Sequence, residues 1–141
     1  MDRLVADTGF LVAFGRVADP LHQSAVTFLR GYAGGLVTVA PVIVETSFFL
    51  TSQAKLRLIG WITSGGITVV DVPASSYPDL SATIAKYADR DIDFADAALV
   101  WLANQAGLRG ILTTDEADFS IYRLKAGKRF ELVDWLNAGD R

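Results

Sequence analysis

The chain has 141 residues, 51% apolar and 21% charged, with a net charge of −3 and a mean hydropathy of +0.32. That is ample apolar material for one filled core and too hydrophobic a balance for disorder. There is no cysteine and a single histidine, His22, which excludes a disulfide scaffold, a thiolate zinc or iron–sulfur site, a thiol nucleophile and any His-pair metal motif within one chain.

Leu4-Val5-Ala6 reads as a buried strand ending at Asp7, followed by a short helix through Phe10, Leu11, Val12 and Phe14. Asp19-Pro20 marks a helix start, with Leu21, Ala25, Phe28, Leu29 and Tyr32 at helical spacing before Gly34-Gly35. Residues 36–39 form a second strand, and Pro41 opens a helix running through Glu45 to Phe48 and Phe49. A further helix covers 54–62, a third strand 67–70 and an amphipathic helix 77–88. The acidic turn Asp89-Arg90-Asp91-Ile92-Asp93 leads into a helix from Phe94 to Ala106, closed by Gly107. Residues 110–113 are a fourth strand running into Thr114-Asp115, Glu116 to Tyr122 a turn or short helix, and 129–133 a fifth, edge strand. Strands alternate with helices, and each strand is a continuous apolar run. The expectation is an α/β fold around a mainly parallel sheet covered on both faces, in a single domain over 1–141. The N-terminus has no basic stretch followed by an apolar run, and the longest apolar stretch, 36–50, is broken by Pro41 and Glu45. Neither a signal peptide nor a membrane span is expected, and the location read from this is cytoplasmic.

The catalytic equipment left is mainly carboxylate: 13 Asp and 3 Glu. Ligands of parallel α/β sheets sit beyond the carboxyl ends of the strands. Asp7 and Asp115 each follow a strand, Glu45 lies early in the helix after the second strand, and Asp96 lies in the first turn of the helix before the fourth. Four acids from distant segments therefore converge on one rim. Turn and cap duty is the competing explanation: Asp7 caps the next helix, and Asp93/Asp96 and Asp115/Asp118 have the spacing of an N-cap and its N3 partner. Glu45 fits that explanation least, since Phe48 and Phe49 are its i+3 and i+4 neighbours and no Lys or Arg lies between Arg30 and Lys55. Converging carboxylates need a compensating cation, and oxygen donors without His or Cys suit Mg²⁺ or Mn²⁺. Such an ion polarises a phosphoryl oxygen, generates a hydroxide and steadies a leaving oxygen, which is the chemistry of metal-dependent nucleases.

Four blocks carry a resemblance: Val5-Ala6-Asp7-Thr8-Gly9-Phe10-Leu11-Val12-Ala13, Val42-Ile43-Val44-Glu45-Thr46, Asp93-Phe94-Ala95-Asp96-Ala97-Ala98-Leu99 and Leu112-Thr113-Thr114-Asp115-Glu116-Ala117-Asp118-Phe119. In this order, with an acid in each, the chain resembles the PIN-domain family, and within it the small VapC-type ribonuclease toxins of prokaryotic toxin–antitoxin pairs. The resemblance implies a three-layer α/β/α sandwich with an acidic pocket for Mg²⁺ or Mn²⁺, and endoribonuclease activity on RNA. It assigns Asp7, Glu45, Asp96 and Asp115 as catalytic acids and metal ligands, adds Asp93 as a ligand at a variable position, leaves Asp118 to capping, and matches Thr114 to a hydroxyl beside the fourth acid. It also implies a homodimer and an antitoxin protein as partners. The other readings of such a fold are an RNA-processing nuclease without an antitoxin and a non-catalytic binding module.

Asp7-Thr8-Gly9 also matches the aspartic-protease signature, but that fold is all-β and the segments after Gly9 are helical. A dehalogenase-like phosphatase needs a second Asp where Gly9 stands, and a receiver domain needs a strand-end Lys that is missing. RNA contact requires basic residues; Arg123, Lys125, Lys128 and Arg129 are the first candidates, with Arg16, Lys86 and Arg90 behind them. His22 reads as a surface helix residue, and Trp61, Trp101 and Trp135 as core or interface anchors.

Overall fold

A computed structural model of the chain describes residues 2–138. Strands β1 (Arg3–Ala6), β2 (Gly35–Val39), β3 (Thr68–Val70), β4 (Gly110–Leu112) and β5 (Glu131–Leu132) form one sheet in the order β3-β2-β1-β4-β5, with every pairing parallel. The helices are α1 (Thr8–Gly15), α2 (His22–Gly31), α3 (Ala40–Ser47), α4 (Ser52–Thr63), α5 (Tyr77–Lys86), α6 (Phe94–Ala106) and α7 (Glu116–Phe119). Among the described residues no helix is long and apolar enough to cross a membrane.

Burial on both faces explains the unbroken apolar strands. Val5, Ala6, Val37, Val39, Ile111 and Leu112 are all fully buried. The exception, Thr38, is also inaccessible, and its hydroxyl donates to the Ala6 carbonyl at 2.7 Å. The core continues into the aromatic residues of the last third of the chain: Trp135 meets Phe10 edge to face at 4.8 Å, and Phe119 contacts both Tyr122 and Phe130. Trp101 and Trp135 are buried, Trp61 half-buried. The His22 imidazole N–H donates to the Ala13 carbonyl at 2.8 Å and ties α2 to α1.

Two boundaries differ from the expected ones. The helix carrying Glu45 stops at Ser47 rather than continuing through Phe49, and α4 starts afresh where the Thr51 hydroxyl accepts from the Ala54 N–H. Phe48 and Phe49 are 75% and 57% exposed, so no core contact extends the first helix over them. The Asp19 carboxylate accepts from the Leu21 N–H at 2.9 Å in a turn that precedes α2, which starts at His22.

Candidate active site

The strand order reverses direction between β1 and β4: from β1 the chain moves to β2 on one side, and from β4 to β5 on the other. Connections leaving adjacent strands in opposite directions open a crevice at their carboxyl ends. Asp7 follows β1 there, and Thr113, Thr114 and Asp115 follow β4. The two strand ends are joined, because the Asp7 N–H donates to the Leu112 carbonyl at 3.0 Å.

Asp7 is only 7% exposed. Its Oδ1 accepts from the Thr8 N–H at 2.7 Å, capping α1, and its Oδ2 accepts from the Thr113 hydroxyl, also at 2.7 Å. The same Thr113 oxygen accepts from the Asp115 N–H at 2.9 Å, so one buried hydroxyl positions two acids. Burial raises the Asp7 carboxyl from 3.8 to about 6; the two hydrogen bonds lower it, and the charges of Asp93 and Glu45 raise it again.

Asp96 is 9% exposed, in the first turn of α6, and its Oδ2 accepts from the Tyr122 hydroxyl at 2.8 Å. Burial first, then the charge of Asp7, push its carboxyl up to about 8; the Tyr122 hydrogen bond opposes this, while Asp93 and Asp115 add to it. Asp93 caps α6 through the Asp96 N–H at 2.7 Å, and Asp115 caps α7 through the Asp118 N–H at 3.1 Å. Asp96, Asp115 and Asp118 each present a ligand oxygen within 4.8 Å of the others. Asp118 is held below the ordinary carboxylate range, chiefly by its hydrogen bond from Arg90. Glu45 enters from α3: its Oε1 accepts from the Thr8 hydroxyl at 2.9 Å, and burial, with Asp93 as a further charge, raises its carboxyl.

The pocket is therefore made of carboxylates from four segments, and the only ion pair they form among the described residues is Asp118–Arg90. Its donors are all oxygens, with no sulfur or imidazole, a set that suits a hard divalent ion. Comparison with known proteins gives the same direction. The family model described as "PIN domain" matches residues 4–125. The chain belongs to the PIN-domain family. It is 28% identical over 134 residues to Ribonuclease VapC26 of Mycobacterium tuberculosis, a match covering 92% of this chain and 99% of that one. Its fold is similar to the crystal structure of VapC20 of the same organism, described as a sarcin–ricin loop cleaving toxin, with a TM-score of 0.70, 20% identity, and coverage of 77% of this chain and 86% of that one.

On this PIN domain the expected residues fall into two groups. Asp7, Glu45, Asp93, Asp96 and Asp115 are brought to one crevice, although Glu45 is not buried against aromatics as its flanking sequence suggested: Phe48 and Phe49 face outwards, and a threonine hydroxyl is its partner. Thr114 lines a cleft of about 520 Å³ beside the acids, together with Thr8, Gly9 and Arg16. The basic cluster is placed elsewhere. The Lys125 N–H donates to the Asn104 side chain, and Lys125 and Lys128 line a small cavity with Gly107 and Arg109. Those residues sit at the far end of α6 from Asp96, about 12 Å away over eight residues of helix. The Arg129 carbonyl accepts from Arg109, just ahead of β4, at the opposite end of the sheet. The Nη1 of Arg123 donates to the Ser120, Ile121 and Tyr122 carbonyls. Arg16 lines the cleft with Thr114, and Arg90 pairs with Asp118 at the acids.

Sequence reasoning missed Thr113, Tyr122 and Thr8. A hydroxyl directly after a buried strand, next to an acid, was a usable signal for Thr113. Tyr122 had none, because it meets Asp96 across 26 residues through tertiary packing.

Proposed function

We propose that this chain is a divalent-metal-dependent endoribonuclease, the toxin of a type II toxin–antitoxin pair, acting in the cytoplasm as a single domain. The observation that carries the proposal is the pair Asp7 and Asp96, buried carboxyls held up to about 6 and about 8 with no side-chain cation in ion pairing with either among the described residues. Such a site costs stability unless a cation is its natural occupant. The description of the VapC26 relative as a ribonuclease supports the same activity.

Asp7, Glu45, Asp96 and Asp115, with Asp93, are the residues we assign to hold Mg²⁺ or Mn²⁺. When bound, the ion supplies the positive charge that hydrolysis of a phosphodiester requires. The chain's own groups do the positioning. Thr113 and the Thr8 N–H fix the two oxygens of Asp7, Tyr122 holds one oxygen of Asp96, and the Thr8 hydroxyl orients Glu45. RNA reaches the acids through the Thr8–Arg16–Thr114 cleft, with Arg16 and Thr114 meeting its phosphates. Lys125, Lys128 and Arg129 are too remote for the scissile phosphate and suit a distal stretch of a long RNA.

The antitoxin partner has a surface adjoining that cleft: a groove of about 310 Å³ lined by Phe14, Val17, Val26, Leu58 and Trp61, apolar enough for a hydrophobic segment. A homodimer is the expected assembly. The test is cleavage of a structured RNA by the purified chain. Activity is expected with Mg²⁺ or Mn²⁺, abolished by EDTA and by Asp7→Asn or Asp96→Asn. Metal-independent cleavage, or full activity in either variant, refutes the assignment. Growth arrest on expression, relieved by an adjacent gene product, separates a toxin from a processing nuclease.

A further inference from the structure

Six carboxylates bear on the pocket, Asp7, Glu45, Asp93, Asp96, Asp115 and Asp118, and one of them already carries a cation. Arg90 donates from Nη2 and Nε to the same Asp118 oxygen, at 2.7 and 3.3 Å. Asp118 is one of the three acids whose oxygens lie within 4.8 Å of one another, so the guanidinium stands against a cluster that has the dimensions of an ion position.

We propose that Arg90 is an ion-limiting residue: its guanidinium supplies the positive charge that Asp96, Asp115 and Asp118 would otherwise take from a second divalent ion, so that the pocket holds one ion rather than two. This rests on the reading of the acidic pocket as a divalent-metal site. A guanidinium stays protonated at every pH at which the protein is folded, so the block is permanent rather than titratable. Its charge also repels any ion placed among the three acids.

The placement of Arg90 is built into the fold. It ends the tight turn Ala88–Arg90, and Asp91 follows in the left-handed conformation (φ 53°). The Arg90 N–H donates to the Tyr87 carbonyl at 3.0 Å. The Tyr87 ring packs on the Tyr122 ring at 5.0 Å, and the Tyr122 hydroxyl holds Asp96. One aromatic pair thus positions both the limiting cation and the most perturbed acid. An ion pair whose side chains are 35% and 30% exposed adds little to folding, so removing it alters the charge of the pocket and leaves the fold in place.

The experiment titrates Mn²⁺ into the full-length, EDTA-stripped protein by calorimetry, with free Mn²⁺ counted by electron paramagnetic resonance. Wild type is expected to bind one ion. Arg90→Gln is expected to bind a second, or to bind about tenfold more tightly, the order of effect of one unit charge a few ångströms away at a partly hydrated rim. Arg90→Lys keeps the charge and should behave as wild type, and Arg90→Gln with Asp118→Asn should return to one ion. Unchanged stoichiometry and affinity in Arg90→Gln, or two ions in wild type, overturns the ion-limiting role. Absence of Mn²⁺ binding in both wild type and Arg90→Gln overturns the metal-site reading itself.

Discussion

Asp7→Asn separates stability from function at one atom pair, because it removes the charge while keeping the shape. Burial raises the Asp7 carboxyl from 3.8 to about 6, so the ionised side chain costs the metal-free fold about 3 kcal/mol above pH 6. The sign follows from the protons bound. Between 3.8 and about 6 the folded state holds a proton that the unfolded state has released, so metal-free stability falls as pH rises through this window and levels off above it. An Asn avoids the penalty but disturbs the bond from Thr113, which costs about 1 kcal/mol. The net gain at pH 8 in EDTA is about 2 kcal/mol, or roughly 4–10 °C in Tm for a chain of this size. The gain should vanish at about pH 4.5 and turn into a small loss below it, where Asp7 is protonated in the folded state and the unfolded chain ionises it only in part, so that the disturbed Thr113 bond is what remains. Saturating Mn²⁺ should reverse the order, since an ion at a hundredfold excess over its Kd stabilises the wild type by about 2.7 kcal/mol and the variant less. Differential scanning fluorimetry at pH 4, 6 and 8, with EDTA and with Mn²⁺, reads all of this. A variant no more stable than wild type at pH 8 in EDTA, or equally stabilised by Mn²⁺, refutes the reasoning.

Metal binding must displace protons from Asp7 and Asp96, so Mn²⁺ affinity and cleavage should both rise with pH through about 6 and about 8; calorimetry in buffers of different ionisation enthalpy counts the protons released. Tyr122→Phe deletes the donor to Asp96, and should move the upper pH midpoint of cleavage higher while costing about 1–2 kcal/mol of stability. Gly9→Ala drives a methyl into the Thr114 hydroxyl and within 3.0 Å of its Cβ and Cγ2; about 1–3 kcal/mol of destabilisation, measured by urea unfolding, and a distorted cleft are expected. Arg16→Ala should weaken RNA binding and reduce the salt slope of log affinity by about 0.7, while Lys125→Ala should change neither on an RNA short enough to occupy the cleft alone.

Read along the chain, apolar runs alternating with helical periodicity were enough to specify a parallel α/β fold, because a strand buried on both faces must be apolar at consecutive positions. The acids were legible for a related reason: each stands directly after a strand or in the first turns of a helix, and the ends of parallel strands share one edge of the sheet. Local chemistry also showed the caps, since Asp93 and Asp115 bond to backbone only three residues away. The positions of the groups around those acids were decided in three dimensions. Thr113 reaches Asp7 across 106 residues and Tyr122 reaches Asp96 across 26, and Arg90 meets Asp118 only because α6 and β4 intervene between them and fold back. The basic run at 123–129 follows Asp115 closely in sequence, yet the chain recrosses the sheet before it and carries Lys125 and Lys128 to the other end of α6. Sequence neighbourhood fixes distance for only a turn or so of backbone; beyond that, which side chains meet is set by the packing of whole elements against the core.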